Sequence, residues 1–207
     1  MDVGFWFNLK EEDIMSHFTS ITTEIRDLET CKEALRNMGL ELQEEGRCRF
    51  FFGEEVKENV VELPGRYDMA LEKQSNGSYS ITADFYEGDV ERTIGQRGSR
   101  LLREYGEKEL KKMCKKMHLS ISTNVKEPNG FKVKDPQDSS GGYMIVTFDE
   151  MGNISFSPKG IKGKKCSKFF KLEEALGDVS KREFLPEYYE ERETAKTKTR
   201  ERVRAEY

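Results

Sequence analysis

The amino-acid sequence predicts an α+β protein made of two small modules in series. Several short stretches are rich in β-branched and aromatic residues, or alternate apolar with polar residues, as strands do. Other stretches repeat apolar residues every three or four positions, as helices do. A segment rich in Pro, Gly, Asn and Ser, residues 124–142, separates the two sets and is predicted to be a linker.

The composition favours folded cores with a heavily charged surface. Of 207 residues, 35% are hydrophobic, 36% are charged and 11% are aromatic, and a disordered chain would lack such aromatic content. The formal net charge of -4 argues against a general polyanion binder. No apolar run approaches the roughly 18 residues that a membrane span needs. Because the first residues also lack signal-peptide features, we expect a cytoplasmic protein that does not bind membranes.

Residues 15–123 are predicted to form the first module, after an N-terminal extension at residues 1–14. A strand that starts at Phe18 leads into a helix with Asp27 as its N-cap, because this carboxylate can accept hydrogen bonds from the free N–H groups of the first turn. Gly39 stands where the C-terminal cap of that helix belongs.

A strand meander and a long helix complete the first module. The Asn-Gly pair at 76–77 is typical of a hairpin turn, and the helix is predicted to span about 94–117. Its apolar residues form two clusters with Gly106 as a break between them: Leu101, Leu102 and Tyr105, then Leu110, Met113, Cys114 and Met117. With a short last strand at 119–121, the element order predicts a ferredoxin-like split βαβ fold.

Residues 143–189 are predicted to form a small ββαβ module, followed by a charged tail at residues 190–207. A hairpin signal covers residues 143–156. A helix with one apolar side then precedes a last strand at 179–185. Such a module has a very small core, so we expect it to pack on the first module or on a partner.

Residues 15–27 read Met-Ser-His-Phe-Thr-Ser-Ile-Thr-Thr-Glu-Ile-Arg-Asp. This stretch resembles the opening of the hypothetical chloroplast reading frame 35 family, a domain of unknown function numbered 1257 that occurs in plastids, cyanobacteria and other bacteria. The resemblance extends over residues 15–125. It brings no established activity and no catalytic residues.

The second module is similar to another uncharacterised family, the domain of unknown function numbered 2997, over residues 143–189. Four segments carry the similarity: Ile-Ser-Phe-Ser-Pro-Lys-Gly at 154–160, Gly-Lys-Lys-Cys at 163–166, Leu-Glu-Glu-Ala-Leu-Gly at 172–177 and Pro-Glu-Tyr-Tyr at 186–189. Bacterial families of this kind tend to be encoded beside each other and near an AAA-type ATPase, sometimes with a ferredoxin. The two resemblances together imply an AAA-type ATPase as a protein partner.

A basic segment in the second module is the most distinctive local feature, because it contains no acidic side chain in a chain that is acidic overall. Its glycines let the backbone bend around a ligand, and a helix that begins near Cys166 would direct free N–H groups to the same place. A phosphate group, a nucleic-acid backbone or a protein are candidate ligands. The alternative is a solvated basic face that docks on the acidic first module. The candidate binding residues are Lys159, Gly160, Lys162, Gly163, Lys164, Lys165, Lys168 and Lys171.

The cysteines give weaker signals. Cys166 lies among lysines at the predicted start of a helix, which favours a reactive thiolate, yet no histidine that could act as its base is near in sequence. Cys114 and His118 are four residues apart on a helix and would suit two metal ligands, but two ligands do not make a site. We therefore expect no metal and no cofactor, with Cys114 in the apolar stripe.

No catalytic set outweighs its structural explanation, so the chain is expected to be a non-enzymatic adaptor or accessory subunit that acts with an AAA-type ATPase. The alternative is a nucleic-acid-binding module that uses the Lys159–Lys171 segment.

Overall fold

The computed structural model describes residues 17–124, 130–139, 141–161 and 167–184. Ten strands and four α-helices follow one another in this part of the chain: β1 His17–Thr23, α1 Leu28–Asn37, β2 Leu42–Phe50, β3 Gly53–Val61, β4 Met69–Lys73, β5 Tyr79–Ala83, α2 Asp89–Ile94, α3 Ser99–Lys116, β6 Ser120–Asn124, β7 Gly130–Lys134, β8 Tyr143–Phe148, β9 Ile154–Lys159, α4 Ser167–Leu176 and β10 Gly177–Phe184. Within the described residues, no helix is both long enough and apolar enough to cross a membrane. The predicted α+β class is confirmed.

Two antiparallel sheets form. One has six strands in the order β10-β1-β9-β8-β7-β6, and the other is the meander β2-β3-β4-β5. This strand order differs from the split βαβ arrangement predicted for residues 15–123, because β1 and β6 do not share a sheet with β2–β5. Strand β1 pairs instead with β9 and β10 near the other end of the chain. Pairing over such sequence distances leaves no local pattern from which it can be read.

The stretch predicted as a linker, residues 124–142, contains strand β7. Phe131 and Val133 of this strand are buried and belong to the core of the six-stranded sheet. Strand β7 pairs with β6 on one side and with β8 on the other. The strand was missed because its alternation of apolar and polar residues covers only five positions and is surrounded by Pro, Gly and Asn, which are typical of loops.

Local signals place several elements correctly. Helix α1 starts after Asp27, whose Oδ1 accepts a hydrogen bond from the Thr30 N–H at 3.1 Å. The Asn76-Gly77 turn joins β4 to β5, and the Asn76 side chain accepts a hydrogen bond from the Ser78 N–H at 3.0 Å. The predicted hairpin turn between β8 and β9 is also present, with Asp149 Oδ1 2.8 Å from the backbone nitrogens of both Met151 and Asn153.

The helix predicted at about 94–117 begins at Ser99 as α3, and a separate short helix, α2, ends at Ile94. Gly98 has a φ of +83°, and a Cβ at this position would overlap the Ile81 side chain. Gly106 does not break α3. It lets the helix approach the Phe148 ring, since a Cβ there would lie 2.7 Å from Phe148 Cε1.

Helix α3 is shared by two hydrophobic cores. Its N-terminal half, with Leu101 and Tyr105, packs in the core that α1, α2 and the four-stranded sheet build. Its C-terminal half, with Leu110 and Cys114, packs in the core of the six-stranded sheet and α4. The two predicted apolar clusters of this helix therefore serve two different sheets.

Candidate interaction surface

Only part of the predicted lysine site falls on described residues. Lys159 at the end of β9, Gly160 after it and Lys171 on α4 are exposed. The structure says nothing about the remaining predicted positions, which lie outside the described residues: Lys162, Gly163, Lys164, Lys165 and Cys166.

Lys168 already has one anionic and one neutral polar partner within the chain. Its Nζ lies 2.8 Å from Asp135 Oδ2 and 3.2 Å from Gln137 Oε1, so it links α4 to the connection between β7 and β8. The hydrogen bond from Lys168 is the main reason why the pKa of Asp135 falls below its usual range. This lysine is less available to an external anion than the sequence alone indicates.

The described cysteines are structural. Cys31, Cys48 and Cys114 are fully buried, and burial raises the pKa of their thiols to about 12, 11 and 12 respectively. Cys114 lies in the core whereas His118 is exposed, so the structure does not present these two as a ligand pair. Among the described residues, no group of three or more His, Cys, Asp or Glu side chains could hold a metal ion.

The most distinctive surface feature is the tip of the β2–β3 hairpin. Phe50 pairs with Gly53 at the end of the two strands, so Phe51 and Phe52 form the loop between them. The exposed fraction is 97% for Phe52, 51% for Phe51 and 65% for the neighbouring Tyr86. We call these three side chains the aromatic tip.

The rings of the aromatic tip contact one another edge to face. The ring centroid of Phe51 lies 4.9 Å from that of Phe52 and 5.6 Å from that of Tyr86. On its inner side, Phe51 also approaches the buried Tyr67 ring, at 6.5 Å. Such pairs attract each other through their ring quadrupoles, so the three rings form a continuous apolar surface anchored on the core.

Asp84 holds the two halves of the aromatic tip together. Its Oδ2 accepts a hydrogen bond from the Phe51 N–H, and its Oδ1 accepts one from the Tyr86 N–H, both at 3.0 Å. One carboxylate therefore ties the hairpin loop to the turn that follows β5. Contacts within the chain therefore hold the aromatic tip in place.

The β2–β3 hairpin also packs against β4. Strand β3 bends at Asn59, where φ is 55°, and only its last residues Val60 and Val61 pair with β4. Cys48 of β2 then packs with Val60 and Ala70 in a small third core. This packing fixes the position of the tip relative to the four-stranded sheet.

Two ion pairs lie near the aromatic tip. Arg47 lies 3.5 Å from Glu54, and Arg66 lies 3.2 Å from Asp89. The exposed rings of Phe51, Phe52 and Tyr86 therefore offer apolar contact next to these ion pairs.

The residues of the aromatic tip were not among the binding residues predicted from the sequence. The available signal was a Phe-Phe pair next to Gly53 in a charged hairpin, where turn-forming residues would be expected. Natural proteins break such local rules mainly at functional sites.

The fold is an α+β arrangement of two sheets around one shared helix, with an exposed aromatic tip on the smaller sheet. Residues 145–189 match a family described as "Protein of unknown function (DUF2997)". The predicted resemblance of the second module is thereby confirmed. A search of curated proteins finds no match to the chain, and neither does a search of solved structures.

The matched segment is completed by a strand from outside it. Strands β8, β9 and β10 all fall largely within residues 145–189, yet β9 and β10 do not pair with each other. Strand β1 lies between them, pairing antiparallel with both. The small module therefore needs β1 to connect β9 and β10 within one sheet.

Proposed function

We propose that this protein is a non-enzymatic adaptor or accessory subunit of an AAA-type ATPase, and that the aromatic tip is where the partner binds. The observation that carries the proposal is Phe52, a large apolar side chain held at 97% exposure beside Phe51 and Tyr86. Burying a side chain of this kind in a partner stabilises the complex by roughly 1.5–3 kcal/mol. Exposed apolar groups that form a continuous patch mark protein-binding surfaces.

The fixed arrangement of the aromatic tip also supports the proposal that a partner binds there. The Asp84 carboxylate and the ring contacts hold the tip in one arrangement. A partner therefore has fewer side chains to order when it binds, which lowers the entropic cost of association. Large aromatic side chains in fixed positions are frequent energetic hot spots of protein interfaces.

The identity of the partner rests on the family resemblances. By its sequence, the stretch at residues 15–125 resembles the chloroplast reading frame 35 family, and residues 145–189 match the family of unknown function numbered 2997. We expect bacterial families of these two kinds to be encoded near an AAA-type ATPase. A chain that fuses both fits one complex with such an ATPase. We place this complex in the cytoplasm.

Binding of nucleic acid through the Lys159–Lys171 segment is the second candidate. The exposure of Lys159 and Lys171 favours it, whereas the ion pair between Lys168 and Asp135 weighs against it. Phosphate contacts would make the interaction weaken steeply with salt, and apolar contacts at the tip would not.

The test is affinity capture with the full chain from native lysate, with and without nuclease, followed by mass spectrometry. We expect an AAA-type ATPase to be recovered in both conditions. The Phe52→Ser variant should recover about tenfold less, which corresponds to about 1.4 kcal/mol of binding free energy. Met151→Ser is the matched control, because Met151 is another exposed apolar residue, outside the tip.

Two results would contradict the proposal. If the recovered proteins disappear on nuclease treatment, the chain binds nucleic acid instead. If Phe52→Ser and Met151→Ser recover the ATPase equally well, the aromatic tip is not the binding surface. A binding titration with the purified ATPase over a range of salt concentrations separates the two candidate surfaces directly.

A further inference from the structure

Strand β6 forms one edge of the six-stranded sheet. Each of its residues from Ser120 to Asn124 is in register with a residue of β7 on the inner side. On the outer side, no residue of the described chain pairs with it. Among the described residues, its backbone groups on this side have no strand partner, and such groups can bind another strand by strand addition.

The other sheet edges carry features that discourage pairing with a further strand. Edge strands β2 and β10 each contain four charged residues, namely Glu44, Glu45, Arg47 and Arg49 in β2, and Asp178, Lys181, Arg182 and Glu183 in β10. The edge of β5 is covered at Tyr79, whose N–H donates to the Ile25 carbonyl at 2.7 Å. Strand β6, with the sequence Ser-Ile-Ser-Thr-Asn, contains no charge, no Pro and no Gly. Charged residues and Pro protect many natural edge strands from pairing with another chain. Because β6 contains neither, its sequence favours pairing with a further strand.

We propose that β6 pairs antiparallel with β6 of a second copy of this chain, so that two six-stranded sheets become one continuous sheet. A two-fold axis perpendicular to the sheet keeps the helices of both copies on the same face. This inference concerns self-association and does not depend on the ATPase.

The sequence of β6 selects one register. All five residues find a partner only when Ser122 lies opposite Ser122 of the second copy, which places Ile121 opposite Thr123. Cross-strand pairs of serines and of β-branched residues stabilise antiparallel sheets, and this register brings no like charges together. A second copy is therefore a complementary occupant for this edge.

The expected dimer is weak, because a contact between two five-residue strands buries far less than the roughly 1,600 Å² of a standard interface. We expect a dissociation constant on the order of 10 µM. Sedimentation equilibrium with the full chain, from roughly 1 to 100 µM, should show a monomer that converts into a dimer as concentration rises.

The discriminating pair of variants is Ser122→Glu and Ser122→Gln. Ser122 is exposed and lies opposite Lys132 of β7, so a glutamate is tolerated within the monomer but faces its own copy in the dimer. We expect Ser122→Glu to weaken dimerisation by about tenfold or more, since like charges across an interface are strongly unfavourable. Ser122→Gln has the same shape without the charge and should dimerise as the unmodified chain does.

A second measurement tests the register itself. In the proposed dimer, Ser122→Cys places two thiols opposite each other across the axis, within reach of a disulfide, whereas Ser120→Cys faces Asn124 of the second copy. Mild oxidation should cross-link the first variant and not the second. The proposal is overturned if the chain stays monomeric over the whole concentration range, if both Ser122 variants dimerise equally, or if Ser120→Cys cross-links as readily as Ser122→Cys.

Discussion

Asp68 and Arg49 form a bidentate ion pair, with Asp68 Oδ2 2.8 Å from Arg49 Nε and Asp68 Oδ1 2.7 Å from Arg49 Nη2. The same carboxylate accepts hydrogen bonds from the backbone N–H groups of Arg49 at 3.0 Å and Leu63 at 3.1 Å. The Asp68 N–H in turn donates to the Arg49 carbonyl at 3.0 Å. This buried carboxylate fastens the β2–β3 hairpin, and with it the aromatic tip, to the segment that leads into β4.

Replacing Asp68 by Ala should lower the free energy of unfolding by roughly 3 kcal/mol, because it leaves one buried and three part-buried donors without this acceptor. Urea denaturation followed by circular dichroism measures the change. The control is Glu41→Ala, which removes an exposed carboxylate and should change stability by less than about 0.5 kcal/mol. Equal effects of the two substitutions would show that Asp68 does not anchor the hairpin.

Stability should fall in acid, with Asp68 as one cause. Burial opposes ionisation of Asp68, but hydrogen bonds from the Arg49 side chain and from two backbone N–H groups outweigh it and lower the pKa of this carboxyl. The contribution is therefore fully present above the unfolded-state pKa of roughly 4, and it disappears as pH falls through the lower folded-state pKa. The pKa values of Asp27 and Asp135 are also lowered, so these two carboxylates lose their contributions to stability over the same acidic pH range.

The measurement is urea denaturation at several pH values between about 2 and 7, with Asp68→Asn beside the unmodified chain. The variant has no carboxyl at this position, so its stability at neutral pH should be lower and its loss of stability in acid smaller. The assignment fails if both proteins lose stability in acid by the same amount.

A methyl group at position 106 should destabilise the protein although alanine favours helices. A Cβ on Gly106 would lie 2.7 Å from Phe148 Cε1, and overpacking of this kind costs about 1–3 kcal/mol, against about 1 kcal/mol gained in helix propensity. Thermal or urea unfolding of Gly106→Ala measures the net change.

The double variant Gly106→Ala/Phe148→Leu tests whether the contact with the Phe148 ring causes the loss of stability. If the clash with the ring is responsible, the double variant should be more stable than the sum of the two single changes predicts. Additive effects would place the strain elsewhere. Lys115→Ala, at an exposed position of the same helix, is a control that changes helix propensity little and should leave stability nearly unchanged.

The three described cysteines should not react in the native state. Their thiols are buried, and their raised pKa values of about 12, 11 and 12 keep them protonated at pH 8. In a Cys166→Ser variant, which retains only Cys31, Cys48 and Cys114, a thiol reagent should label none of them until guanidinium unfolds the chain. Rapid labelling before unfolding would contradict the burial.

The sequence predicted those elements that are stabilised by contacts between residues close to each other in the chain. The cap at Asp27 and the turns at Asn76-Gly77 and Asp149 each involve groups a few residues apart, and each was read correctly. The start of α3 at Ser99 was missed, because the need for Gly98 comes from Ile81 on a different element.

The sheet topology and the aromatic tip depended on distant residues. No sequence signal near β1 indicates that this strand lies between β9 and β10. Likewise, no signal near Phe51 indicates that the Asp84 carboxylate accepts hydrogen bonds from the N–H groups of both Phe51 and Tyr86. The lysine segment was singled out for its charge, but Asp135, which pairs with Lys168, lay in a stretch read as a linker. Charge is visible in a sequence, whereas its neutralisation by a remote partner is not.

The position of β1 between β9 and β10 also governs the order of events during synthesis. Strand β1 leaves the ribosome before its partner residues, which extend to Phe184. At the usual rate of chain elongation, the ribosome needs roughly 10–30 s to make the intervening residues. During this interval the nascent chain carries an unpaired strand, so the larger sheet can only close after translation of the described chain is almost complete.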